Sequence, residues 1–286
     1  MSKKKVETRW IAPAKINLFL RVIRKRADGY HDIFSLMQKI SLHDELIFSP
    51  LPKGIVLHCP GTDLPTDEKN LIVRAAKAVF DYCDYQSGME ISLHKRIPMT
   101  AGLGGGSSDA ATTIMALNKI CSLGLKKTEL LKIGAKIGAD VPFFIFGNEA
   151  LASGVGDRLK HLRGLPKLDI LLIKPPFDLS TKMIYQNLNL RLTRGKNNYS
   201  IPRFLDLGDI VCGLHNDLES VSLKIHPELA DLKQMLLRHG ALGALMSGSG
   251  PTVFGILRNG EEAKKALEII EKELPAPYAI FLVNSL

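Results

Sequence analysis

Cysteine is sparse in this sequence and long apolar runs are missing. The four cysteines, Cys59, Cys83, Cys121 and Cys212, stand far apart. There is no C-x-x-C pair and no histidine cluster at zinc-ligand spacing, so neither a disulfide framework nor a metal knuckle is indicated, and a reducing, cytoplasmic compartment fits. No stretch approaches ~18 uninterrupted apolar residues, the length a membrane helix needs, which argues against a membrane partner. The opening MSKKKVETRW is charged, but Lys15 and Asn17 interrupt the apolar run behind it and make it a poor secretory signal. Internal repeats and low-complexity tracts are absent too.

What is present is a chain of 286 residues with 45% apolar content, long enough for two moderate domains. Composition shifts near Gly164–Pro166, which predicts domains over residues 1–164 and 165–286. Lys and Arg total 38 against 29 Asp and Glu, a net charge of +9, favouring a polyanionic partner such as a nucleotide, a phosphorylated metabolite or nucleic acid. Taken alone, that charge fits a protein with a basic face equally well. The basic residues are spread rather than gathered and no RNA-binding aromatic signature accompanies them, so nucleic acid is not the expected partner.

Hydrophobic periodicity predicts strands over Ile16–Ile23 and Lys39–Phe48, with RADGYHD (residues 26–32) as the turn between them. Asn70–Tyr82 repeats its apolar positions at helical spacing, and MEISL (89–93) alternates like a strand. Thr128–Ile137 reads as a helix stopped by Gly138, followed by VPFFIF (141–146), a buried run taken as a strand. LDILLI (168–173) is a strand ended by Pro175 and Pro176. Helices over 216–239, a glycine turn (Met246–Pro251), a strand, a helix over Glu261–Leu274 and a last strand complete the second half, with a basic loop over Arg191–Ser200.

The most informative stretch is IPMTAGLGGGSSDAATT (97–113). Ala110, Ala111, Ile114, Met115 and Leu117 share a helical face, so Ser107 or Ser108 is the predicted N-cap. A helix N-terminus behind several glycines offers unpartnered N–H groups and the positive end of the helix dipole, in a backbone that an anion can approach without meeting Cβ atoms. Phosphate is the natural guest, although a flexible turn with an ordinary serine cap has the same composition. The familiar phosphate loops do not match. No lysine follows the glycines as G-x-x-x-x-G-K-S/T requires, Ser107 stands where G-x-G-x-x-G needs its third glycine, and the protein-kinase H-R-D and D-F-G are missing.

PMTAGLGGGSSDAA resembles the central motif of the GHMP kinases, the superfamily of galactokinase, homoserine kinase and mevalonate kinase. The triple glycine before S-S-D-A-A resembles the branch acting on 4-diphosphocytidyl-2-C-methyl-D-erythritol in the non-mevalonate isoprenoid pathway. APAKINLFLRV (12–22), RADGYHDI (26–33), GADVPFF (138–144), HNDLE (215–219) and MSGSGPTVFG (246–255) are similar to that branch's other segments and stand in the same order. The resemblance implies an α+β, two-domain GHMP kinase fold, with a ribosomal-protein-like N-terminal domain and a ferredoxin-like C-terminal domain. It also implies ATP as co-substrate, Mg²⁺ arriving with ATP, a small-molecule acceptor, and a monomer or homodimer.

Carried onto this sequence, the resemblance implies that Pro98, Met99, Thr100, Ala101, Gly102, Leu103, Gly104, Gly105, Gly106, Ser107 and Ser108 wrap the ATP phosphates. Asn70, Leu71 and Lys95 line the adenine site, and Asp140 is the general base, paired with Lys15. The metal ligands stay open: Ser108 or Asp109 could touch the Mg²⁺, and the resemblance assigns neither. Asn17 lies two residues beyond Lys15 on the same strand face and turns toward the same substrate. Thr181 and Tyr185, four apart on one helix face, contact the acceptor; cytosine lies between Tyr30 and Tyr185, and His31 reads its edge. Without the resemblance, Asp140 is a turn residue, Lys15 a strand-edge lysine, Asn70 a helix cap, and DGYH an exposed turn. MSGSGPT is a second glycine loop, either closing over the site or simply turning the chain. Met99, Thr100 and Thr112 stand where the family often has smaller or aliphatic residues, and residues 190–213 match none of its motifs. Two other readings compete: another GHMP small-molecule kinase, or a non-catalytic, nucleic-acid-binding or regulatory relative.

Overall fold

Two long strands and the turn between them open the fold. The structure, a computed structural model, describes residues 7–147, 149–162, 164–189 and 206–286; the predicted basic loop over Arg191–Ser200 lies outside them. Strands β1 (Thr8–Lys25) and β2 (His31–Leu51) enclose both strands expected at this end of the chain. At the turn, Arg26 N–H donates to the Tyr30 carbonyl (2.8 Å) and Gly29 takes φ +85°, which a side chain would resist.

The chain forms two compact units that interleave along the sequence. One comprises residues 1–14, 42–99 and 104–147, the other residues 15–41, 100–103 and 148–286.

In the first unit the distal half of β2 pairs antiparallel with β4 (Gly88–His94), and β3 (Ile55–His58) joins β4 in parallel. Helices α1 (Leu71–Cys83), α2 (Gly105–Ile120), α3 (Lys127–Ile137) and α4 (Val141–Phe146) pack on one another. α1 forms because Asn70 Oδ1 accepts the Ile72 N–H (2.9 Å), and Ile72, Ala75, Ala76 and Val79 recur at helical spacing and are buried. VPFFIF corrects the reading as a strand. A six-residue apolar run carries no decisive period, and Pro142 sits in the first turn, where its missing N–H costs nothing.

The second unit holds the proximal half of β2, paired antiparallel with β5 (Ala150–Gly154), which pairs in turn with β6 (Arg158–His161). The distal part of β1 pairs in parallel with β8 (His215–Asn216) at Phe19 and His215. A second sheet is ordered β11 (Ala279–Asn284), β7 (Asp169–Lys174), β10 (Val253–Leu257), β9 (Gly243–Met246), antiparallel throughout. β7 is its central apolar strand, with Ile170 through Ile173 fully buried. Helices α5 (Thr181–Gln186), α6 (Leu207–Gly213), α7 (Glu219–Ile225), α8 (Glu228–Arg238) and α9 (Gly260–Glu273) complete this unit. α8 and α9 pack on the sheet and bury Leu229, Leu232, Leu236, Ala263, Ala266 and Ile270 in one cluster with Leu171, Ile173 and Val253. Among the described residues no helix is long and apolar enough to cross a membrane.

Candidate active site

The glycine stretch ends in a helix that no side chain caps. α2 begins at Gly105, and its N-cap is Gly104 in the left-handed region (φ +70°), not a serine. Ser107 and Ser108 instead lie within the first turn, where Ser108 N–H bonds the Gly104 carbonyl (2.9 Å). Caps usually sit one residue before the first helical one, and the glycines adopt that role here only because φ > 0 is open to them. The N–H groups of Gly105, Gly106 and Ser107 therefore end the helix with no side-chain acceptor, as anion binding requires. A Cβ built on Gly138 would lie 3.9 Å from Ser107 Oγ, so the turn leading to Asp140 abuts the opening of α2. Asp140 is half-buried and precedes α4 at its N-cap. A Cβ on Gly106 would lie 3.7 Å from Leu71 Cδ1, which brings the start of α1 to the same place.

Beneath that opening is a charge cluster that sequence reading only half anticipated. Lys95 Nζ bonds Asp44 Oδ2 and, at 3.0 Å, Asp109 Oδ2; the three side chains are 9%, 0% and 3% exposed. Asp44 Oδ1 also accepts the N–H groups of Arg96 (2.6 Å) and Ile97 (2.8 Å). Two carboxylates thus share one ammonium. Burial pushes the Asp109 carboxyl up to about 7, with Lys95 opposing and Asp44 adding to the rise. Burial pulls the Lys95 ammonium down, but Asp109 and Asp44 outweigh it and leave it above its ordinary value. Asp44 was missed because a lone aspartate in a strand reads as a solvent-facing residue. Asn70, placed in the adenine site by sequence, commits its amide to the fold: Oδ1 caps α1 and Nδ2 donates to the Pro65 carbonyl (2.8 Å).

The second unit gathers a different subset. Lys15 is 4% exposed and donates to Asn17 Oδ1 (2.6 Å), so the two do share a strand face; Asn17 Nδ2 then donates to Ser35 Oγ (2.8 Å). The first part of the glycine stretch lies here too, with Lys15 N–H on the Leu103 carbonyl (2.9 Å). A Cβ on Gly102 (φ +75°) would collide with the Ser247 carbonyl, and one on Gly248 would meet Gly102 O, Lys15 Nζ and Asn17 Oδ1 at 3.2 to 3.4 Å. The loop MSGSGPT thus touches Lys15, Asn17 and Gly102 rather than merely turning the chain. HNDLE holds that loop. Asn216 Nδ2 donates to the carbonyls of Met246 (2.8 Å) and Gly248 (2.7 Å), and Glu219 Oε1 accepts the Met246 N–H (2.7 Å).

Thr181 opens α5 and shares a 2.7 Å hydrogen bond with Ser249 Oγ of the same loop. One turn on, Tyr185 faces His31 with ring centroids 5.0 Å apart and planes inclined by 32°. Burial lowers the His31 pKa, and the charge of Lys25 lowers it further, which favours the neutral ring. Tyr30 is 64% exposed. Met99 is half exposed, while Ala101 and Leu103 are buried. Thr100 holds φ +47°, a costly value for a β-branched residue, and hydrogen-bonds Asp178, which lowers that carboxyl.

Among the described residues no group of three or more His, Cys, Asp or Glu side chains is placed to hold a metal. Ser108 Oγ and Asp109 Oδ1 are buried without a hydrogen-bond partner. Such hard oxygen donors fit Mg²⁺ held mainly by phosphate and water, not by a dedicated protein cage.

The pattern of the GHMP kinases N terminal domain matches residues 70–148, and that of the GHMP kinases C terminal domain matches residues 200–276. The 4-diphosphocytidyl-2-C-methyl-D-erythritol kinase of Syntrophus aciditrophicus (strain SB) is 54% identical over 276 residues, covering 96% of this chain and 98% of its own. This chain belongs to the GHMP kinases. The corresponding enzyme of Syntrophotalea carbinolica is 48% identical over 91% of this GHMP kinase and 92% of its own length. A crystal structure of 4-(cytidine 5'-diphospho)-2C-methyl-D-erythritol kinase superposes with TM-score 0.82 at 33% identity, covering 97% of this chain and 99% of the other. Homoserine kinase from Cytophaga hutchinsonii shares the fold of this GHMP kinase, with TM-score 0.76 at 21% identity.

Proposed function

We propose that this GHMP kinase transfers the γ-phosphoryl group of ATP to the 2-hydroxyl of 4-diphosphocytidyl-2-C-methyl-D-erythritol, in the cytoplasm, as a step toward isoprenoid precursors. The observation that carries the reading is the 54% identity to the Syntrophus kinase along nearly the whole of both chains.

In this reading the uncapped N–H groups of Gly105, Gly106 and Ser107 receive the ATP phosphates, with the α2 dipole behind them and Pro98–Ser108 wrapped around them. Asn70, Leu71 and Lys95 serve the adenine side, and the Asp44–Lys95–Asp109 cluster keeps that wall rigid. Asp140 takes the proton of the acceptor hydroxyl as its oxygen bonds the γ-phosphorus, the bridging P–O bond to the β-phosphate breaks, and ADP leaves. Lys15 is the proposed partner of Asp140. Mg²⁺ bound with ATP offsets the negative charge on the phosphate oxygens, and Ser108 and Asp109 are the residues that would hold it. Asn17, Tyr30, His31, Thr181 and Tyr185 are assigned to the acceptor. The nearness of the neutral His31 ring to Tyr185 supports a flat-base site with one aromatic face and one hydrogen-bonding edge.

The test is a panel of acceptors incubated with ATP while ADP release is followed. Turnover is expected with 4-diphosphocytidyl-2-C-methyl-D-erythritol and not with homoserine or mevalonate. Release driven by either of the latter would replace this reading with another GHMP kinase activity.

A further inference from the structure

The second unit contains a cleft of about 290 Å³ that none of the assigned residues lines. Arg24 and Arg26, at the end of β1, stand over Asp32 on β2, and Arg158 enters from the β5–β6 hairpin; Ile23 and Phe34 supply apolar wall. Tyr30, His31 and Tyr185 do not border it.

Three features distinguish this cleft from a scatter of surface arginines. First, its lining carries three guanidinium groups against one carboxylate, and two further carboxylates stand at its edge, Asp28 on Arg26 and Asp157 beside Gly154, so it is the unpaired fork of Arg158 rather than a net positive charge that invites an anion. Second, Asp32 aims Arg24, whose Nε lies 2.5 Å from Asp32 Oδ2, whereas Arg26 is held mainly by Asp28, with Nη2 2.8 Å from Asp28 Oδ2 and Nη1 3.3 Å from Asp32 Oδ1. The bond from Arg24 also holds the Asp32 carboxyl below its ordinary value, so the aiming group stays charged. Arg158 makes no ion pair among the described residues, and its fork is available to an incoming anion. Third, Ile23 and Phe34 are half-buried, giving an apolar surface beside the charges. Small-molecule sites combine concave apolar lining with a few convergent polar groups, and this volume falls just below their usual range of about 300–1,000 Å³, which suits a small ligand. Guanidinium forks match phosphate oxygens two at a time, which a lysine cannot do.

We infer that this cleft is a second anion site, taking a small organic phosphate whose phosphoryl oxygens engage Arg158 and Arg24 while an apolar body lies on Phe34 and Ile23. The inference does not depend on which acceptor the kinase uses.

Phenyl phosphate is the probe, titrated calorimetrically into the full chain with a non-hydrolysable ATP analogue and cytidine diphosphate both saturating, so that the proposed catalytic seats are filled. One further equivalent should bind. Its affinity should fall tenfold or more in Arg158→Ala, and inorganic phosphate, lacking the ring, should bind several-fold more weakly than phenyl phosphate. Arg158 is exposed and carries no ion pair among the described residues, so the variant should fold and keep the parent kcat and KM. No heat beyond dilution, or an affinity untouched by Arg158→Ala, overturns the site. Equal binding of inorganic phosphate removes the apolar half of the inference. A short single-stranded oligonucleotide that displaces phenyl phosphate and binds more tightly would reassign the cleft to nucleic acid.

Discussion

Asp140 and Asp109 are two carboxylates at the opening of α2 with opposite expected behaviour. If Asp140 is the general base, Asp140→Asn should leave KM for ATP and acceptor near the parent values while kcat falls by ~10² or more. Steady-state kinetics on both substrates checks this, and retained turnover removes Asp140 from the chemistry. Asp109 is a question of proton binding. Its folded pKa, about 7, stands above the ordinary 3.8 because burial penalises the charge. Between those values the folded chain holds a proton that the unfolded chain has lost. Asp109's contribution to stability is therefore complete below about pH 3.8 and declines as pH rises to about 7. Melting temperatures of the parent and Asp109→Asn, measured from pH 4 to 8, should diverge across that window, the parent losing more. Parallel curves would mean that Asp109 does not titrate there. From sequence, Asp140 was legible as a position with two readings. Asp44 was not, because its role depends on Lys95, 51 residues away along the chain, and periodicity reports no such pairing.

At the scale of elements, most helices and strands followed from hydrophobic period and capping chemistry, as α1, α9 and β7 illustrate. The errors have physical causes. VPFFIF is too short for its period to separate strand from helix. The cap of α2 was assigned to serine because a serine hydroxyl can accept a first-turn N–H, whereas Gly104 begins the helix through its left-handed backbone without a side-chain bond. The second glycine loop could not be assigned at all until Asn216, 30 residues before Met246, was seen to clamp it. That clamp can be tested. Asn216→Ala leaves the carbonyls of Met246 and Gly248 without their donor at a cost of about 1–3 kcal/mol, and calorimetric unfolding should register it. Because the same loop touches Lys15 and Asn17, KM for the acceptor should rise as well; a variant melting like the parent would show that the loop holds itself. Gly102→Ala should be harsher, since it combines a left-handed φ with a collision at the Ser247 carbonyl.

For the molecule as a whole, net charge is the property most directly readable from composition. At +9, with both proposed substrates polyanionic, long-range attraction should speed encounter without altering the bound state. Raising ionic strength from about 10 to 300 mM shortens the screening length from roughly 30 Å to well under 10 Å. kcat/KM should fall over that range while kcat stays level, and a kcat/KM indifferent to salt would mean that the positive charge lies away from the approach route. The two-domain family fold was legible from the order of motifs. The interleaving of the compact units was not, because composition is read along the chain and packing is not.

Thr100 carries a last consequence. Its left-handed backbone, held by the bond to Asp178, restricts the glycine stretch at its entrance, where glycine alone would let it wander. A stretch restrained beforehand loses less disorder when a nucleotide arrives, and the difference belongs to residence time. Stopped-flow release of ADP from Thr100→Gly should be several-fold faster than from the parent, even though the substitution relieves a strained torsion. One awkward threonine would then set how long spent nucleotide lingers after each turnover.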